Sequence, residues 1–203
     1  MTTDTPWPPS VTLEDEHVRL VPLGPEHAAD LAEAAQDGEL WRHWYTSIAR
    51  PEGMAQMIAD RLDLRAKGAW LPFAVIEPET AEAVGMTNYL NIDAANRRVE
   101  IGGTWHRARV QRSPLNTEAK RLLLRHAFET LDCIAVEFRT HFFNHQSRRA
   151  IERLGAKLDG ILRSHQITAD GLLRDTCVYS ITAAEWPTVR RHLDYQLERV
   201  RGG

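Results

Sequence analysis

Residues 100–120, Glu-Ile-Gly-Gly-Thr-Trp-His-Arg-Ala-Arg-Val-Gln-Arg-Ser-Pro-Leu-Asn-Thr-Glu-Ala-Lys, hold the densest chemistry in the chain. They read as a strand, a sharp turn and the start of a helix, with Arg107, Arg109 and Arg112 edging the turn. The first N–H groups of a helix lack intrahelical partners and carry about half a positive charge, so such a turn is an anion site suited to a pyrophosphate. Arg107 and Arg109 either reach that anion or form a solvated edge. Two groups nearby can take a proton: Glu100 on the strand, and His106, whose imidazole titrates near neutral pH. Each has a plainer reading, as an ion-pair member and as a surface histidine.

Pro114 interrupts this turn because it has no N–H to offer. If Ser113 is the N-cap and Pro114 the first helical residue, the missing donor falls where the helix does not use it. The amides of Leu115, Asn116 and Thr117 then still face an anion, and Arg112 adds charge. The other outcome is that the proline spoils the turn.

Further along, Asn144 is spaced as an N-cap, Ser147 falls in the first turn behind it, and Gly155 stops that short helix. Trp41, His43, Trp44 and Tyr45 crowd a polar loop, and aromatic walls suit an amine. Cys133 and Cys177 lie in apolar, strand-like runs without CxxC or zinc-site spacing, which predicts two reduced, buried thiols and no metal.

Periodicity supplies the elements that position these residues. Strands are expected over 17–23, 71–77, 82–91, 98–105, 133–140, 157–168 and 172–182. Helices are expected over 25–36, 51–67, 116–131, 144–154 and 184–200. Ala169-Asp170-Gly171 turns the last hairpin. The strand–helix–strand crossover over 98–140 predicts one parallel pair in a largely antiparallel sheet. The 203 residues are 43% hydrophobic and 26% charged, ordinary for a globular domain, and no linker or repeat divides them. The fold class is thus α/β (α+β): a single domain over 11–203 behind an N-terminal tail at 1–10, its mixed sheet of about seven strands flanked by helices. A net charge of −3 argues against a nucleic-acid binder. With no apolar run of membrane-spanning length and no signal-peptide pattern, a cytoplasmic protein is expected.

These residues resemble the GNAT acetyltransferase superfamily, and within it the ribosomal-protein N-terminal acetyltransferase branch. Three segments carry the likeness: Val99-Glu-Ile-Gly with Gln111-Arg-Ser-Pro-Leu-Asn116 and Thr-Glu-Ala-Lys; Asn144-His-Gln-Ser147 through Gly155; and the final hairpin with Arg174-Asp-Thr and Tyr179-Ser. The family has Gly where this chain has Pro114 and Gly or Ala where it has Asn116. The resemblance implies transfer of an acetyl group from acetyl-CoA to a primary amine, of a protein N-terminus or a small molecule, by direct attack through a tetrahedral intermediate. It implies acetyl-CoA contacts at Val110, Gln111, Arg112, Ser113, Leu115, Asn116, Thr117, Asn144 and Arg149. Ser147 is implied as the proton donor to the leaving thiolate, with Glu100 or His106 as the base. The acceptor pocket is implied at Trp41, Trp44, Tyr45, Asn88, Tyr89 and Trp105. A homodimer is compatible with this reading, and neither nucleic acid nor membrane is expected as a partner. Pro114, and an amide at Gln166 where some relatives have a carboxylate, motivate the alternative: a silent member that binds a ligand or partner and transfers nothing. A different thioester donor is a third reading.

Overall fold

The computed structural model of the chain describes residues 6–201. Positions 1–5 of the expected tail lie outside the described residues. The strands are β1 (Leu13–Glu14), β2 (Arg19–Pro22), β3 (Leu71–Ile76), β4 (Ala83–Asp93), β5 (Arg98–His106), β6 (Ala135–His141), β7 (Lys157–Ile167) and β8 (Leu173–Thr182). They form one sheet in the order β1-β2-β3-β4-β5-β6-β8-β7. There are eight strands rather than seven because the two-residue β1 adds to the edge. Every neighbouring pair is antiparallel except β5 and β6, the pair joined by the predicted crossover.

Helices α1 (Ala28–Gln36) and α2 (Met54–Ala66) pack on one face, where Leu31, Ile58, Met86 and Trp105 share a core. Helices α3 (Pro114–Arg125) and α5 (Trp186–Arg201) cover the other, where Tyr89, Val99, Ile101, Leu122, Leu123 and Leu193 do so. Helix α4 (His145–Arg153) adds Ile151 to that second core. Among the described residues no helix is long and apolar enough to cross a membrane. Helix α3 starts as its local chemistry dictates: Ser113 Oγ accepts from the Leu115 N–H at 3.3 Å, and Pro114 takes the first helical position. Its expected end is more complex. The last turn, His126–Thr130, is π-wound, and the Cys133 N–H donates to the Ala127 carbonyl at 2.9 Å, so β6 starts later than the periodicity suggested. Cys133 and Cys177 are both buried and free.

Two irregularities shape the sheet centre. The β5–β6 ladder pairs Arg98 with Ala135, Val99 with Val136 and Glu100 with Glu137, and then stops. Beyond it the strands part, leaving 101–106 of β5 and 138–141 of β6 without each other. On its other side β5 pairs Trp105 with Met86 but Gly102 with Asn88, so three steps on β5 oppose two on β4. This is a bulge with one extra residue. Gly103 sits in it at φ +57°, and a Cβ there would stand 2.7 Å from Asn88 Nδ2. The Asn88 amide clamps the bulge, donating to the carbonyls of Gly102 at 2.8 Å and Gly103 at 3.3 Å. Gly103→Ala is therefore expected to destabilise the fold by about 1–3 kcal/mol, from the left-handed backbone plus the displaced amide. Urea unfolding measures this, and an unshifted midpoint would show that the bulge relaxes freely.

The bulge also changes which side chains share a face. Val99 and Ile101 point into the α3 side. After the extra residue it is Thr104 and His106 that meet α3 groups, Lys120 and Asn116 respectively, while Trp105 joins the α1–α2 core.

Candidate active site

The parted strands create a slot whose walls are unpaired backbone edges. Glu100 closes its inner end, on the face opposite Val99 and Ile101, and is only 5% exposed. Asn91 Nδ2 donates to its carboxylate at 2.6 Å, and Arg139 Nε lies 3.5 Å away. Burial pushes the Glu100 carboxyl above the ordinary carboxylate range, and the Asn91 bond and the Arg139 charge only partly oppose this. On β6, Val136 and Phe138 face the α3 core, so alternation turns Glu137, Arg139 and His141 to the side of Glu100.

His141 was not singled out from the sequence. It is 4% exposed, and Trp44 meets its ring edge-on at 4.9 Å between centroids. Tyr45 stands 6.5 Å from the same ring and Phe143 5.8 Å. The Phe143 N–H donates to His141 Nδ1 at 3.1 Å, which leaves Nε2 to carry the proton of the neutral ring. Burial and the nearby Arg174 lower its pKa, against a smaller opposing effect of Asp175. The aromatic loop thus reaches the slot through Trp44 and Tyr45, whereas Trp41 packs against the α1–α2 core. The alternation in 136–141 was visible in the sequence. Nothing there marked which face carried the site.

Three more of the expected site residues, Tyr89, His106 and Trp105, are elsewhere. Tyr89 is fully buried on the α3 side, donating to the Leu123 carbonyl at 2.5 Å, and is no wall of an acceptor pocket. Its strand is covered on both faces, so no polar alternation showed its direction. His106 lies across the sheet from Glu100 because the bulge inverts the alternation. Its Nε2 is 3.1 Å from Asn116 Oδ1, and burial, helped by the charge of Lys120, lowers its pKa to about 4. This places it outside the range of a base working near neutral pH. Asn88 spends its amide on the bulge, and Trp105 is 6% exposed in the α1–α2 core.

At the far end of β5 lies the turn before α3. Gln111 Nε2 donates to the His106 carbonyl at 2.9 Å, tying the turn to the strand end. Arg112 is exposed and left-handed at φ +65°. The Leu115 N–H, expected to face an anion, is taken by the Ser113 cap, and Val110 and Leu115 put their side chains in the core. Thr117 Oγ1 accepts from Arg153 Nη2 at 2.8 Å. Arg107 and Arg109 take the edge reading, held in ion pairs away from the turn's amides. Arg107 pairs with Glu33, Asp37 and Glu82, and Arg109 with Glu77 and Glu82. The end of β6 leads into α4, where Asn144 Oδ1 caps the helix by accepting from the Ser147 N–H at 3.0 Å, as the sequence indicated. Arg149 is exposed on the same helix.

Beneath the bulge, on the α3 side, lies a second group the sequence reading did not pick out. Lys120 Nζ donates to Thr104 Oγ1 at 2.5 Å and Thr87 Oγ1 at 3.1 Å, and the two hydroxyls are 2.8 Å apart. Burial lowers the Lys120 pKa to about 7.

Known proteins share this fold. The acetyltransferase (GNAT) domain family matches residues 17–157. The uncharacterized N-acetyltransferase p20 of Bacillus licheniformis is 27% identical over 179 residues, which cover 86% of this chain and 98% of that protein. A GCN5-related N-acetyltransferase from Brucella melitensis superposes with a TM-score of 0.83 at 31% identity, covering 97% of this chain and 90% of the other. RimJ of Mycobacterium smegmatis, solved in complex with CoA-disulfide, shares the fold with a TM-score of 0.77 at 21% identity, over 94% and 95% of the two chains. A sheet that parts beyond its parallel pair, with helix starts at both strand ends, and a family match over most of its length together place the chain among the acyltransferases: it belongs to the GNAT acetyltransferase family.

Proposed function

We propose that the chain transfers the acetyl group of acetyl-CoA to a primary amine held between Glu100 and the Trp44–Tyr45–His141 wall. One observation carries this: the β5–β6 ladder ends at Glu100 and Glu137, so two unpaired strand edges converge on a buried carboxylate with a raised pKa. The residues present fit the donor. Open strand edges pair with amides of an extended chain, as in strand addition. The Asn116 amide and the exposed Arg112 stand where the diphosphate of such a chain would end, at the start of α3. Pro114 takes the first helical position without disturbing α3, and with the Leu115 N–H held by the Ser113 cap it is the Asn116 amide that meets the anion; the donor lost at Pro114 is what the silent reading rests on.

When bound, acetyl-CoA supplies an activated thioester. Glu100 takes the proton of the attacking amine, directly or through one water, and its raised pKa suits that work. The bulge leaves one β5 residue outside the β4 ladder, and a backbone N–H freed there would serve as a donor to the oxygen that gains charge. The Ser147 hydroxyl, in the first turn of α4, gives a proton to the departing sulfur. Attack is direct because burial holds both thiols protonated. Cys133 is pushed up to about 11, and Cys177 is also raised, so neither is a nucleophile near neutral pH.

Calorimetric titration with CoA and with pantetheine tests the frame. CoA is expected to bind in the micromolar range and pantetheine at least tenfold more weakly, since it lacks the diphosphate (about 1.4 kcal/mol per tenfold). Equal affinities would remove the α3 turn from the site. No binding of CoA at millimolar concentration would overturn the reading.

A further inference from the structure

The charges on the Glu100 face do not cancel. Glu137 is paired by Arg98 at 2.5 Å and by Arg139 at 3.0 Å, and Arg139 also reaches Glu100. Two more guanidiniums approach the same region. Arg61, from α2, is 9% exposed, and among the described residues no carboxylate lies within ion-pair distance of it. Arg174, from β8, feels the Glu100 charge without an ion pair to it among the described residues. Its cross-strand partner Gln166 is an amide and offers no compensating charge. Each of the two arginines keeps a buried Nε–H with no acceptor.

Arg61 is the sharper case. Trp70 covers one face of its guanidinium at 4.9 Å. Its Nη1 makes one long bond to Asn88 Oδ1 at 3.4 Å, and its Nη2 meets only the Met57 thioether at 3.9 Å. The Nε–Nη2 edge is the side of the fork that grips a carboxylate with two parallel bonds, and here it has only a weak sulfur acceptor. Nη1 also lies 3.4 Å from where a Gly103 Cβ would stand, and a Cβ on Gly102 would stand 2.9 Å from Glu100 Oε1. Arg61 and Glu100 therefore flank the same bulge. A buried guanidinium without a counter-ion is costly, and burial already lowers its pKa to about 10. Such a cost is sustained where a ligand supplies the missing charge.

We propose that Arg61 binds a carboxylate of the acceptor, making the substrate a small amine of amino-acid type rather than a polyamine or an uncharged amine. This rests on the acetyltransferase reading above. The amine stands at Glu100, the carboxylate lies along the Nε–Nη2 edge of Arg61 across the bulge, and Arg174 adds a second positive field. The opposed charges orient the acceptor so that its nitrogen, not its acid end, meets the slot.

The test uses product analogues, which need no turnover. Protein saturated with CoA is titrated with N-acetyl amino acids of small, aromatic and acidic side chain, each paired with its C-terminal amide. At least one free acid is expected to bind about tenfold or more tightly than its amide, as a charge-assisted pair requires. Arg61→Met is expected to erase that difference while leaving CoA affinity unchanged, and Arg61→Lys to restore part of it. Equal binding of acids and amides, no binding across the panel at millimolar concentration, or a preference that survives Arg61→Met overturns the proposal. If Arg61→Met fails to fold, the acid–amide comparison in the unmodified protein decides. CoA binding without an acid preference sinks the carboxylate site alone, whereas loss of CoA binding to the unmodified protein sinks the acetyltransferase frame.

Discussion

Glu100→Gln is expected to lower kcat by about a hundredfold or more, the usual worth of a positioned base, with little change in CoA affinity. The substitution keeps the shape and the Asn91 contact but removes the only function that a proton acceptor needs. The pH profile gives the sharper signature. Burial raises the Glu100 pKa, so in the unmodified enzyme the rate falls on the acid side at a higher pH than an ordinary carboxylate would set. Glu100→Gln should flatten that limb, leaving only the titration of the acceptor amine. In the proposed mechanism His141 is not an alternative base, because its Nδ1 accepts from the Phe143 N–H and its Nε2 then carries the proton of the neutral ring. Ser147→Ala, assayed alongside, should lower turnover while leaving that acid limb in place if Ser147 serves the leaving sulfur as proposed. An unchanged kcat in Glu100→Gln would move the base elsewhere.

Lys120→Met is expected to raise stability at pH 6–7, by up to a few kcal/mol, and the gain should shrink as pH rises toward about 10.5. The sign follows from the direction of the shift. Folded Lys120 titrates at about 7 and the unfolded side chain near its ordinary value of 10.5. Between those values the unfolded chain holds a proton that the folded chain has lost, so stability rises with pH across that window. Below about 7 both states are charged and the burial penalty is felt in full. His106 acts the same way at lower pH: folded at about 4 against 6.5, it costs stability as the solution is acidified through that interval. Methionine matches the length of the lysine stem without the charge, though it leaves Thr87 and Thr104 to bond each other, as their 2.8 Å separation permits. Thermal melts at pH 6, 7.5 and 9.5 measure the difference. A gain independent of pH would show that Lys120 is charged in the folded state throughout.

Much of this site was legible where the chemistry is local. A serine before a proline starts a helix whatever surrounds it, so Ser113 and Pro114 took their expected places, and Asn144 capped α4 for the same reason. The parallel pair followed from the crossover rule. What depended on register was not legible. Gly102-Gly103 reads as an unbroken strand, yet the extra residue put His106 on the wrong side of the sheet for the role expected of it. Tyr89 was misplaced because a strand buried on both faces carries no alternation. Arg61 and Lys120 are ordinary members of helical surfaces in sequence. Only the fold shows that one has no counter-ion among the described residues and the other is sealed between two threonines.

The bulge has a consequence for how such a site can diverge. It divides one strand into two reading frames. Up to Gly102, even-numbered side chains lie on the Glu100 face; beyond Gly103, they belong to the α3 side and odd-numbered Trp105 turns toward α1 and α2. Substitutions at Glu100 and at Thr104 or His106 therefore explore separate problems, although they are four to six positions apart on one strand. Changes on the Glu100 face can thus accumulate without disturbing the contacts of Thr104 and His106 with α3. The same partition makes the length of the strand nearly untouchable, because losing one glycine would exchange the two frames along everything that follows.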